Sequence, residues 1–433
     1  MAHIHVPDRI PARFLRRSSS STMLFGAMVA VGAVSFFLSL QRDVTAAWAS
    51  YVSNWLFFSS IAMGAVMFAA VTTIVKAKWN WSLRRISVAY AAFLPVAFVL
   101  LLPMLGLGEE YYPWIEKMAY DPIVQEKAAY LNIPFLITRN VVGVAILFGM
   151  ALYFAYLAIR PDMGLLDEAE LDAGQRSWRA RFMTGWSGQE QEEVRSWRRM
   201  NYLAPFFAFA YATIMSFVVY DFAMSLDSHW FSTLFGGWYF MGAFWGGIAL
   251  TAFTAMTLRR TDSEVARAVG IQQRHDLGKL AFAFTVFWTY LFFSQYIVIW
   301  YGKLPWEQSW MINRSGEGWG PYSLSVIILC FVIPFAGLLG RKAKMTPAIL
   351  QTLTGVILFG LWSERYFLVA PSILPEYDVG NMTYHMLTAV GFLGLFLMSI
   401  RWFLSTFPVI QIWQPMVDPE SLEAELPHPV AGD

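Results

Sequence analysis

The sequence predicts an all-α, polytopic transmembrane helical protein of about ten spanning helices. Three observations predict it. Hydrophobic residues make up 57% of the 433 residues and charged residues 14%, where a soluble domain carries roughly a quarter charged. The apolar residues fall into separate runs of about 20, the length that crosses a ~30 Å hydrocarbon layer as a helix. Lysine and arginine are abundant in every second connection and sparse in the others, as the positive-inside rule requires.

The runs fall at 23–41, 53–75, 86–107, 134–159, 203–225, 238–258, 278–301, 322–340, 347–369 and 384–406. They leave 1–22 as a cytoplasmic N-terminal segment, 23–406 as the transmembrane domain and 407–433 as a cytoplasmic tail, polar and acidic, expected to lie along a partner or to be loosely ordered. The basic N-terminus is followed by no small-residue cleavage site, so the first run is expected to be a retained helix. Pro95 and Pro103 should kink the third helix and Pro334 the eighth, because proline supplies no N–H. Trp79, Trp81, Trp114, Trp230, Trp238, Trp300 and Trp306 crowd the ends of runs, as an interfacial belt would.

Orientation follows from the connections. One set holds Arg9, Arg13, Arg16 and Arg17, then Lys76, Lys78, Arg84 and Arg85, then seven arginines between 160 and 202, then Arg259, Arg260, Arg267 and Arg274, then Arg341, Lys342 and Lys344. The other set holds few. Both termini are therefore expected on the cytoplasmic side of the membrane. Of the two long connections, 160–202 is expected to form a pair of short surface helices and 108–133, with YYPW and YDP, a cap on the opposite side.

One cysteine, Cys330, excludes an internal disulfide, a thiolate cluster and a Cys-x-x-Cys-His haem site. A bis-histidine haem would need two histidines at matched depth, and the candidates, His229 and His385, both read as interfacial. Any redox metal is therefore expected in another subunit. No basic tract interleaved with aromatics points to nucleic acid.

A charged side chain at mid-bilayer costs at least about 2.5–3.5 kcal/mol, so each needs a reason. The candidates are Arg139 early in the fourth run, Asp221 late in the fifth, His229 just beyond it, Gln295 late in the seventh, Glu364 and Arg365 late in the ninth, and His385 opening the tenth. The alternating direction of the helices brings all of them to the periplasmic third, with no comparable set expected in the cytoplasmic third. Asp221 is expected to pair with Arg139 or Arg365. Glu364 and Arg365, about 100° apart on one helix, are expected to have different partners. A carboxylate and a histidine near one face can accept protons from a lipid-soluble hydroquinone or pass them along a chain. The bland alternative is that these groups snorkel or pair to hold helix ends, which fits Arg139, His229 and His385 best.

Several segments also carry a resemblance. SIAMGAVMFAAVTTIVKAKWNWSLRRISVAY, AAYLNIPFLITRN, SLDSHWFSTLFGG, FSQYIVIWYGKLP and WSERYFLVAPSILPEY resemble the membrane subunits of bacterial alternative complex III, which belong with the polysulfide-reductase and nitrite-reductase membrane subunits. The likeness runs from about 50 to 405 and is nearer to the shorter subunit, F, than to C. It implies two adjacent four-helix bundles flanked by two further helices. It also implies a quinol:electron acceptor oxidoreductase complex with a periplasmic iron–sulfur protein, c-type haem subunits and a homologous quinol-binding membrane subunit, with menaquinone or ubiquinone as the lipid-soluble partner. Asp221, His229, Glu364 and Arg365 then stand where the family keeps polar groups of its quinol and proton-path region. Where an Asn-Ile-Pro-Glu-Glu-like run is expected after the seventh helix, the chain reads Lys303-Leu304-Pro305-Trp306-Glu307. One acidic position has become tryptophan, which favours quinol oxidation by the sister subunit and proton movement or assembly here.

Two other readings stay open. A transporter predicts broken helices and inverted repeats, but the glycines Gly236, Gly237, Gly242, Gly246 and Gly247 fit close helix packing equally well. A purely structural anchor predicts that Asp221 and Glu364 are both sealed in ion pairs.

Overall fold

The computed structural model describes residues 10–316 and 318–414. Ten helices in that range are long and apolar enough to span a bilayer. They are α1 (Ser19–Arg42), α2 (Val44–Ile74), α3 (Arg84–Gly106), α4 (Ile133–Gly164), α5 (Gln189–Leu226), α6 (Thr233–Thr261), α7 (Ile271–Gly302), α8 (Gly320–Leu339), α9 (Pro347–Ile373) and α10 (Val379–Thr406). Each expected run lies within or nearly within one of these helices. The protein is thus a multi-pass helical membrane protein. The even number of spans among the described residues leaves both ends of the described chain at one end of the bundle, the terminal end. The 107–132 connection lies at the other, the cap end.

Helices α2–α5 form one four-helix bundle and α6–α9 a second, and α1 pairs with α10 outside them, against α2 and α3. The two bundles meet along α2 and α6. Helix α2 is apolar all round and 89% of its spanning window is buried, against 17% for α1; a helix without a polar face belongs in the centre. Small residues set the closest approaches. A Cβ on Gly247 would stand 2.1 Å from the Gly64 backbone, and one on Gly32 would stand 2.3 Å from Gly391 Cα. Apolar burial does not drive helices together in lipid, so such close van der Waals contact supplies much of the association.

The expected kinks have a common cause. Pro95 cannot donate to Ala91 O, which takes the Leu94 N–H instead. Pro103 cannot donate to Val99 O, which takes the Leu102 N–H. Helix α3 therefore tightens into 3₁₀ turns at 89–93 and 102–106. In α8 the ring of Pro334 pushes the chain the other way, into a π turn over 328–332 with Ile333 N–H on Ile328 O.

Four expectations are corrected. The 160–202 connection holds one short surface helix, Ala173–Phe182; the second acidic stretch is the first turns of α5. The tail is packed, not loose, as far as it is described: Phe407, Val409, Ile410 and Trp413 are buried, while 415–433 lies outside the described residues. Trp114, Trp230 and Trp238 are 1–3% exposed and belong to the core, not to a lipid-facing belt. The terminal end carries its own buried charges: Arg85 pairs with Asp162, both side chains fully buried, and Arg160 pairs with Glu192 at 2.7 Å. Arg84 and Arg85 read as loop charges because they follow a basic connection, yet they open α3 and point inward. Asp162 also accepts from the Ile412 and Trp413 amides at 2.9 and 2.8 Å, and so latches the tail.

Candidate functional site

The cap-end half of the bundle holds every candidate residue, but in separate groups. The first joins α4 and α5. Arg139 donates from Nε and Nη2 to the two Asp221 oxygens at 2.8 and 2.5 Å, and Asn140 donates to Oδ2 at 2.5 Å. The guanidinium lies 3.8 Å from the Tyr130 ring centroid and its Nη1 donates to Tyr130 O at 2.8 Å. Tyr111, in the cap, donates to Phe222 O at 2.6 Å. This pair is the expected Arg139 alternative. Bidentate, and with hydrogen bonds on both partners, it ties the cap to two helices.

His229 meets Asp121 across the cap surface at 2.5 Å. That hydrogen bond, ahead of all other causes, holds the Asp121 carboxyl below the ordinary carboxylate range. A carboxyl lowered on folding stabilises the fold fully above its unfolded pKa, and that contribution is lost as the pH falls through the lowered value. Docking of the cap should therefore weaken in acid. Protection from hydrogen exchange over 107–131, corrected for the intrinsic pH dependence of exchange, should fall below the carboxylate range in the wild type, and Asp121→Asn should show the lower protection already at neutral pH.

The second group sits where α9 faces α6 and α7. Glu364 and Arg365 pair with each other, and both are 0% exposed. The expectation of separate partners fails because the arginine arm is long enough to fold back along its own helix, and no other carboxylate reaches it among the described residues. Arg365 Nη2 donates to Tyr239 O at 3.3 Å, and its guanidinium stands 4.2 Å from the Tyr239 ring centroid. Gly242 leaves the space for it: a Cβ there would lie 3.4 Å from Nη2. Glu364 Oε2 takes the arginine, while Oε1 meets no donor at ordinary hydrogen-bond geometry and has the Trp288 indole beside the carboxylate.

The third group lies on the other side of the same α9 segment. His385 is fully buried, not interfacial, and is sandwiched between Trp362 and Tyr366 with ring centroids 4.7 and 4.1 Å away. Its Nδ1 meets Ser50 Oγ at 3.1 Å, and its Nε2 has no partner. Asn54 accepts from Trp362 Nε1 at 2.9 Å and donates to Ser50 O at 2.9 Å. Helix α9 thus carries Trp362 and Tyr366 toward α10, and Glu364 and Arg365 toward α6. Residues at i and i+4 share a face, so this alternation follows from helix geometry.

Gln295 stands apart, accepting from Ser232 Oγ at 3.0 Å near the start of α6. Sequence reasoning missed Ser50, Asn54 and Tyr239; an amide inside an apolar run was the available signal for Asn54. It also missed Arg314, whose side chain is buried. Pro371 leaves Phe367 O without its helical donor, and Arg314 Nε supplies one at 3.2 Å, with Nη2 on Leu368 O at 2.9 Å. Burial pushes the Arg314 pKa down to about 9, with Asp227 opposing.

Among the described residues no three His, Cys, Asp or Glu side chains come together as a metal site. His229 and His385 belong to different groups and do not face each other across one pocket. Compared with models of protein families and with curated proteins, the chain matches none.

Proposed function

We propose that this chain is a membrane subunit of a respiratory or photosynthetic quinol:electron acceptor oxidoreductase, of the alternative complex III type, and that its α9 segment Trp362–Tyr366 handles protons. The family part of this reading rests on the sequence segments quoted above. The observation that carries the local part is the buried Glu364 carboxylate, with one oxygen on Arg365 and the other without a well-formed hydrogen bond, beside the Trp288 indole. A carboxylate held firmly on one side and only loosely on the other can take and release a proton at Oε1 without moving its helix. His385 Nε2, unpartnered, is on the opposite side of the same segment. In this reading iron–sulfur clusters and haem c belong to partner subunits, the orientation puts the cap end in the periplasm, and electrons never pass through this chain.

The Asp221 cluster has a different role. Both of its oxygens are filled by Arg139 and Asn140, which supports a structural anchor function there. The two roles separate by experiment. A tagged chain purified from its own membranes should bring c-type haem with it, and Glu364→Gln should lower quinol turnover of that complex at least tenfold. Asp221→Asn should lower yield more than turnover per molecule. A chain that purifies without haem or iron overturns the family reading, and wild-type turnover in the Glu364→Gln complex overturns the proton role.

A further inference from the structure

Between the α1–α10 pair and helices α6 and α9 the surface opens into an apolar groove of about 650 Å³, floored by Phe57, Phe58 and Tyr90. Along α10 it is lined from Met386 to Leu404, a rise of about 27 Å at 1.5 Å per residue, close to the full hydrocarbon thickness. At the terminal end it adjoins a second cavity of about 650 Å³, and Phe25 and Arg401 line both. The second cavity adds polar groups to an apolar lining: Arg17, Ser18, Ser19, Thr22 and Ser405 face it beside Met23, Met398 and Trp402.

Charge decides what this shape fits. Arg17 has Asp172 at 3.5 Å and is half exposed. Arg401 donates to Arg16 O at 2.7 Å and has no carboxylate partner among the described residues. A cation at the rim of an apolar groove, at headgroup depth, is complementary to a phosphate with an acyl chain attached. One leaflet is about 15 Å deep, half of the ~30 Å core. Such a chain reaches from Arg401 about ten residues down α10, which covers Leu397, Phe396 and Leu393.

We infer that this groove binds an anionic diacyl phospholipid, its phosphate on Arg401 and Arg17 and one acyl chain between α10 and α6. The lipid fills the gap that the two-helix flank leaves against the core, so it acts as a structural wedge. The site does not depend on the quinol reading.

The test uses the full-length protein in mild detergent, with phosphatidylglycerol and phosphatidylcholine of identical chains as probes. Native mass spectrometry should show retained phosphatidylglycerol and little phosphatidylcholine, and phosphatidylglycerol alone should raise the melting temperature. The Arg17→Gln/Arg401→Gln double variant should retain at least fivefold less. Leu397→Trp leaves both arginines in place and fills the groove, so it should also lose the lipid while melting no lower than the wild type in lipid-free detergent. Equal retention of the two lipids, or undiminished phosphatidylglycerol in Leu397→Trp, overturns the inference.

Discussion

Gly247→Leu is expected to abolish the folded protein. The Cβ alone would sit 2.1 Å from Gly64 C and 2.2 Å from Ala65 N, and both are backbone atoms of the most buried helix. A clash with a flexible side chain is relieved by a rotamer change, whereas this one is relieved only by separating α2 from α6. That crossing is also where the two bundles meet, so its loss exposes the faces of both. Overpacking of well-filled sites costs typically 1–3 kcal/mol; with no side chain to yield, the cost here should exceed about 3 kcal/mol. Gly237→Leu is the matched control, because nothing lies within 4 Å of a Cβ at that position of the same helix. Size-exclusion profiles of the two variants should separate cleanly, with aggregate for Gly247→Leu and a wild-type peak for Gly237→Leu.

That crossing also marks the limit of what could be read from the chain. Hydropathy located all ten spans, since lipid and protein interior are equally apolar and both demand long apolar runs. For the same reason it could not distinguish central α2 from lipid-facing α1: the two runs look alike, and only their small residues differ in what they approach. The Arg139–Asp221 pair was legible because two opposite charges at like depth in consecutive helices have few other partners. The Arg85–Asp162 pair was not, because each residue reads as a loop charge beside a basic connection, and burial of both depends on the tail folding back. Helical spacing misjudged Glu364 and Arg365 in another way. It fixes where Cβ atoms point, and a guanidinium on three methylenes is free to return.

The Glu364–Arg365 pair gives the second large effect, and it distinguishes a structural from a proton-handling role. Arg365→Met should destabilise the protein by about 3–5 kcal/mol, because it leaves the Glu364 carboxylate buried and unpaired. Adding Glu364→Gln removes that charge. Replacing a whole buried ion pair by neutral groups of similar volume is often close to neutral in stability, so the double variant should recover most of the loss. Thermal unfolding of wild type, both single variants and the double variant forms the cycle, and a coupling near zero would contradict the pairing itself. Turnover then decides the role. If the pair only holds α9 in place, the double variant regains quinol turnover along with stability. If Glu364 carries a proton, stability returns and turnover does not, because glutamine keeps the shape of the side chain and one acceptor oxygen but cannot ionise. The proposed proton role predicts the second outcome, since Oε1 lacks a well-formed hydrogen bond and is the atom that a proton would occupy.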